Sequence, residues 1–259
     1  MDGVDLDGRG PAGLRRAEEL TRLRARMAAI PGRVGGTSVL ADPDAGPGPP
    51  MARNVIDIEA AGLGAILPAG GLVRGSVVGC VGSGSVLAGL LASVTRAGEW
   101  AAVVSAAQLG LLAVAEMGGH LPRLAHIPDP GVDPVGVAMA LLDGVGVVVV
   151  DTAAGSVAAK RAQILAARAH RHDTVVLVTA PDWPHPDLML RSRVTGYHGL
   201  GCGRGRIRQL RVEVTTITRH GRSRRTELVL SGAAGGTRWV PEKSVDACGG
   251  GIVSVASGQ

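Results

Sequence analysis

Phenylalanine is absent from this chain of 259 residues, and tyrosine occurs once, as Tyr197. With so few flat π-faces, a surface that holds single-stranded nucleic acid by stacking bases on aromatic rings is weakly supported. Lysine is nearly as scarce: Lys160 and Lys243 are the only ones, so arginine carries almost all of the positive charge. The three cysteines, Cys80, Cys202 and Cys248, lie far apart and form no CxxC pair. That spacing argues against a disulfide framework and against a zinc site, and it suits a reducing cytoplasm. The seven histidines show no ligand spacing with cysteine or carboxylate, so no metal is expected. The first eleven residues hold Asp2, Asp5 and Asp7 and no apolar run, which is not the pattern of a secretory leader. Residues 75–95 lack charge and approach the length of a membrane span, but they contain five glycines and four serines. A strand, a glycine loop and a helix explain that stretch better than a lipid span, and no membrane association is expected.

What the chain does have is alanine, valine, leucine and glycine in quantity. Its apolar fraction of 46% is ample for a core. The net charge of +5 permits a nucleic-acid or acidic-protein partner without selecting one. Four regions follow from composition. Residues 1–30 read as a helical arm, with Leu20, Leu23, Met27 and Ile30 at a/d-like spacing and Glu18 four residues before Arg22. That helix packs either on its own domain or on a partner. Residues 31–53 are rich in proline and glycine and read as a flexible linker. Residues 54–243 form the core domain, and the Gly/Ser-rich tail 244–259 is expected to be disordered.

Within the core, short β-branched runs alternate with Ala/Leu-rich stretches, the pattern of a mostly parallel sheet covered by helices. Strands are expected over 77–81, 101–105, 124–127, 145–150 and 174–179. Helices follow from Val86, through Met117, from Asp133-Pro134 to Asp143, and from a Ser156 cap to about His170. Asp133 followed by Pro134 pairs a side-chain cap with a residue preset for the first helical position. After a proline-locked loop at 181–186 and a glycine-rich stretch, alternation over 208–218 and 226–230 around Gly221 predicts an antiparallel hairpin.

The sharpest motif is Gly79-Cys80-Val81-Gly82-Ser83-Gly84-Ser85-Val86. Its spacing is that of a phosphate-binding loop, G-x-x-x-x-G-K-[ST]. In such a loop backbone N–H groups cradle the phosphates, the lysine reaches the β/γ-phosphates and the hydroxyl binds Mg²⁺. Here Ser85 stands in place of the lysine and Val86 in place of the hydroxyl. About 65 residues on, Val147-Val148-Val149-Val150-Asp151 ends a strand in a carboxylate, the second half of a nucleotide site or simply a strand cap.

Taken in order, these motifs resemble the RecA recombinases. Residues 66–79 are similar to the approach to their phosphate loop, and Val103 to Gln108 to their second core strand. Ile127-Pro128-Asp129-Pro130-Gly131 falls at their Gln-Pro-Asp-x-Gly turn, Asp151 at their magnesium aspartate, and residues 174–180 at the strand entering their DNA-binding loop. The resemblance runs from about Asp57 to Leu230. By this alignment the family's catalytic glutamate falls on Ala107. Three chemical roles are lost together, and phosphoryl transfer depends almost wholly on such groups, so neither ATP nor Mg²⁺ is expected as a cofactor and the chain is not expected to be an enzyme.

A RecA-like core with a helical arm, a Pro/Gly linker and an empty phosphate loop resembles the ImuA-type accessory proteins, in particular their actinobacterial ImuA-prime form. That resemblance implies a non-catalytic role in SOS-induced, error-prone translesion DNA synthesis. The implied partners are ImuB, an inactive Y-family polymerase relative, an error-prone C-family polymerase and RecA itself. The implied location is the cytoplasm, at the nucleoid on damage. Two other readings stay open: a weak or regulatory nucleotide-binding ATPase, and an arginine-rich DNA-binding module. The last rests on ten arginines between Arg191 and Arg225 with Glu213 as the only acid. Arg204, Arg206, Arg208, Arg211, Arg222, Arg224 and Arg225 are the candidate contacts to DNA or to an acidic partner.

Overall fold

The computed structural model describes residues 54–58, 62–106, 108–152, 156–200, 205–233, 236–241 and 252–254. The expected arm with Leu20, Leu23, Met27 and Ile30, the linker 31–53, and Ala107 and Arg204 lie outside the described residues.

A short antiparallel ribbon opens the described fold, pairing β1 (Val55–Asp57) with β2 (Gly71–Val73) around helix α1 (Leu63–Ile66). The parallel strands follow: β3 (Val77–Val81), β4 (Ala101–Val104), β5 (Leu124–Ile127), β6 (Val147–Val150) and β7 (Val175–Val178). Between them run α2 (Gly84–Arg96), α3 (Leu111–Glu116), a 3-10 turn at Leu121–Arg123, α4 (Pro134–Leu141) and α5 (Ala159–His172). The chain then enters β8 (Leu188–Leu200), β9 (Gly205–Thr218), β10 (Ser223–Ala233), β11 (Gly236–Pro241) and β12 (Ile252–Ser254).

Nine of these strands lie side by side in the order β11-β10-β9-β8-β3-β7-β6-β4-β5, and β12 joins the far end of β8. Pairing is parallel from β8 through β5 and antiparallel from β8 through β11. The valine run of β6 is buried on both faces, which explains why it does not alternate with polar residues. Val147 and Val149 point into the core beneath α1 and α2, while Val148 and Val150 point into the one beneath α4 and α5. This is the RecA-like α/β core expected, with helices on both faces.

Local chemistry sets the helix ends. Asp133 caps α4 by accepting from the Gly136 N–H at 2.8 Å, and Pro134 takes the first helical position. Ser156 does not cap α5. That helix starts at Ala159, with Ala158 as the flanking residue and no side-chain cap. Its lower end closes on Asp173 in the left-handed region, with His170, Arg171 and His172 in the last turn, where positive charge suits the helix dipole.

The expected hairpin is present as β9 and β10, turning at Gly221 with φ +75°. Val212, Val214 and Thr216 are buried as their alternation implies, and the Thr216 hydroxyl donates to the Ile66 carbonyl at 3.0 Å. Two flanking strands escaped the sequence reading. The stretch from Leu188, given no element ahead of the glycine-rich segment from Gly196, forms β8; its two register shifts fall between Val194 and Gly196 and between His198 and Leu200, so the glycine-rich segment bends the strand without ending it. Strand β11 returns beside β10 with Trp239 buried against the core. Ile252–Ser254 also pair with β8, within the tail expected to be disordered.

Candidate functional site

Strand β3 delivers the glycine loop to the carboxyl ends of the parallel strands, where open α/β sheets place their ligands. Only Gly82 and Ser83 separate β3 from α2. Gly82 takes φ +107°, a conformation that favours glycine. The loop lies down on β8. The Ser83 N–H donates to the Ser192 hydroxyl at 2.8 Å, and that hydroxyl donates to the Val81 carbonyl at 3.1 Å. A Cβ at Gly82 would collide with the Ser192 carbonyl oxygen. One backbone donor that a phosphate cradle would offer is therefore bonded to the chain's own side chain. Gly79 is closed in similarly, since a Cβ there would meet the Met189 sulfur of β8.

The next two positions complete the picture. Ser85 is half-buried and carries no charge, and Val86 is fully buried in the core with Leu90 and Leu91. Gly84 begins α2. Cys80, on β3, is buried and its thiol is pushed up to about 12 by that burial, so it is no thiolate.

Asp151 survives in place. It follows β6, its N–H donates to the Val104 carbonyl at 3.0 Å, and its carboxylate accepts from the Thr179 hydroxyl at 2.8 Å from the end of neighbouring β7. A cleft of about 600 Å³ runs past Gly82, Ser83, Ser85, Gln108, Asp151 and Thr179. A second, of about 660 Å³, shares Ala106 and Asp151 and extends to Thr152, Asp133 and Arg161. Arg161 and Asp133 form an ion pair at its rim. The guanidinium holds the Asp133 carboxyl below its ordinary range, aided by the Gly136 N–H.

The turn after β4 is strained. Ser105 and Ala106 both have positive φ, 64° and 48°, at a cost of about 1–2 kcal/mol per residue for side chains with a Cβ. The Ser105 N–H donates to the Ile127 carbonyl at 2.9 Å, and His126 Nε2 stands 3.1 Å from the Ser105 carbonyl. These bonds hold the turn that leads to Ala107.

The arginine tract does not form one patch. Cross-strand pairing puts Arg191, Thr215 and Arg225 in one row, and Arg193, Glu213 and Glu227 in the next, on the outer face of β8–β10. Arg224 shares a row with Thr216 and Leu190 on the opposite face and donates to the Ala65 carbonyl at 3.3 Å. Arg211 is on the outer face, while Arg206 and Arg208 are exposed in the irregular start of β9 and Arg222 lies in the hairpin turn. Arg193 bonds Glu213 at 2.9 Å, Arg225 bonds the same carboxylate, and Arg219 approaches Asp187 at 3.7 Å. Hydrogen bonding from Arg193, then from Arg225, draws the Glu213 carboxyl below its ordinary range.

Ser192 is the residue that sequence reasoning missed. Its signal was present: Leu188, Leu190 and Ser192 alternate with Arg191 and Arg193, which places Ser192 on the inward face beside the loop.

Residues 65–185 match the family model described as the MT3502 N-terminal domain. Over 207 residues the chain is 38% identical to the uncharacterized protein Rv3395c of Mycobacterium tuberculosis, covering 76% of this chain and 91% of that protein. The chain belongs to this family.

Proposed function

We propose that this member of the MT3502 N-terminal domain family is a non-catalytic RecA-like adaptor in damage-induced, error-prone translesion DNA synthesis, joining an ImuB-like inactive polymerase relative to RecA and to an error-prone C-family polymerase. One observation carries the non-catalytic part: the Ser83 N–H of the phosphate loop is bonded to Ser192 while Ser85 and Val86 supply neither cation nor metal-binding hydroxyl. Electrostatic stabilisation is nearly all that a phosphoryl-transfer site contributes. A loop with the Ser83 N–H turned onto Ser192 and no lysine has little of it to give. The pathway and the named partners rest on the resemblance described above, and the location in the cytoplasm and at the nucleoid rests on it too. Among the described residues, no helix is long and apolar enough to cross a membrane.

The test has two arms. Titration of the full chain with labelled ATP and Mg²⁺ should give no saturable binding. Affinity purification from damaged cells should bring down the ImuB-like partner. A chain indifferent to that partner overturns the adaptor.

A second reading, a regulatory nucleotide site, is favoured by Asp151 in the cleft and by the Thr152 hydroxyl nearby, buried and without a hydrogen-bond partner among the described residues. Saturable ATP binding that disappears in Asp151→Ala would establish it in place of the first.

A further inference from the structure

We infer that the outer face of β8–β11 docks the phosphate backbone of duplex nucleic acid. Charge is segregated along this chain. Residues 188–241 carry eleven arginines and two glutamates, a formal +9, in a chain whose total is +5; the remainder is net −4. The fold puts five of those arginines on one face, against two glutamates. Cross-strand pairing aligns Arg191 and Arg193 on β8, Arg211 on β9, Arg225 on β10 and Arg238 on β11 on one side, with Glu213 and Glu227 as the acids among them. The other side is apolar and packs on the core through Val212, Val214, Leu228 and Trp239. Arg193 and Arg225 stand out from the sheet, with side chains 55% and 61% exposed.

The chemistry of this face selects its partner. In the regularly paired rows no large apolar side chain is exposed; Gln209, Thr215 and Ser231 lie among the arginines, and the row of Arg211 continues through buried Val229 to Val240. Protein interfaces draw their affinity from buried aromatic and apolar anchors, and in these rows this face presents no exposed aromatic or large apolar side chain; Ile207, half-exposed, stands at the irregular start of β9. Phosphate contact needs none, and arginine forks suit it. Bases have nowhere to stack: Tyr197 pairs with Leu210 on the apolar side. Four strands about 4.8 Å apart span about 14 Å, a breadth that matches phosphates flanking a major groove of about 12 Å. Binding of this kind positions a duplex without reading its sequence.

Anisotropy of a fluorescent duplex of about 30 base pairs, titrated with the full chain, should show affinity falling about 40-fold between about 50 and 200 mM salt, the slope for a net three charges. Arg191→Gln with Arg225→Gln should weaken binding at low salt about tenfold or more and cut the salt slope by about two. Glu213 keeps Arg193 in that variant, so the sheet stays paired. Arg96→Gln with Lys160→Gln removes as much charge from exposed sites elsewhere and should leave binding within about twofold. Binding without salt dependence, equal loss in both double variants, or displacement of the duplex by polyglutamate as readily as by unlabelled duplex would each overturn the assignment.

Discussion

Ser192→Ala removes a hydroxyl that holds two groups at once, the Ser83 N–H at 2.8 Å and the Val81 carbonyl at 3.1 Å. A net hydrogen bond is worth about 0.5–1.5 kcal/mol, and a buried partner left unsatisfied costs about 1–3 kcal/mol. Val81 and Ser83 are half-buried, so water reaches them in part. The two losses together therefore come to about 2 kcal/mol, at the lower end of that range. With a urea slope of about 2 kcal/mol/M, the unfolding midpoint should drop by about 1 M. Thermal unfolding should come about 4–8 °C earlier for a domain of this size. Ser192→Thr keeps a hydroxyl at the same place and should recover most of the loss. Amide exchange gives the local readout: the Ser83 N–H should lose protection in the alanine variant while the β6 amides keep theirs. An unchanged midpoint together with unchanged exchange at Ser83 would refute the idea that β8 latches the loop.

Three further outcomes are expected. Gly89→Ala should destabilise α2 by about 1–3 kcal/mol despite the better helix propensity of alanine, because the new Cβ would crowd Trp239 and come within 2.6 Å of Leu63 Cδ1; thermal melts measure it. Glu213 titrates below its ordinary range in the fold, so its contribution is present above about pH 4.3 and is lost as pH falls through the lower folded value; melting temperature against pH should show a flatter acid limb in Glu213→Gln. In a Cys202→Ser, Cys248→Ser background, Cys80 should resist a thiol reagent until the chain unfolds, since burial keeps its thiol protonated up to about 12.

The parallel core was legible because its signals are local. Four valines ending in Asp151, a glycine turn after Val81 and the Asp133-Pro134 cap each declare an element and its boundary without help from distant residues. Strand β8 was not legible because Gly196 and Gly199 resemble loop residues in sequence, and only pairing with β9 and β12 turns them into bends within a strand. The site was half legible. The loss of lysine and hydroxyl at Ser85 and Val86 could be read directly. The occupant of the Ser83 N–H lies 109 residues away, across a pairing that no local pattern encodes. The arginines misled for a related reason: adjacency in the chain put Arg224 and Arg225 together, whereas alternation in β10 sends them to opposite faces.

Strand β8 also sets where this chain can be cut. The stretch that matches the family model stops at residue 185, just before β8 begins at Leu188. A fragment ending there would strip β3 of one neighbour and open a backbone edge beside buried Val77 and Val78. It would also withdraw the Asp187 carboxylate that accepts from the Val77 N–H at 2.9 Å. The boundary drawn by sequence similarity thus falls inside one cooperative folding unit. A soluble fragment of this protein has to run through β8 and the strands that shield it.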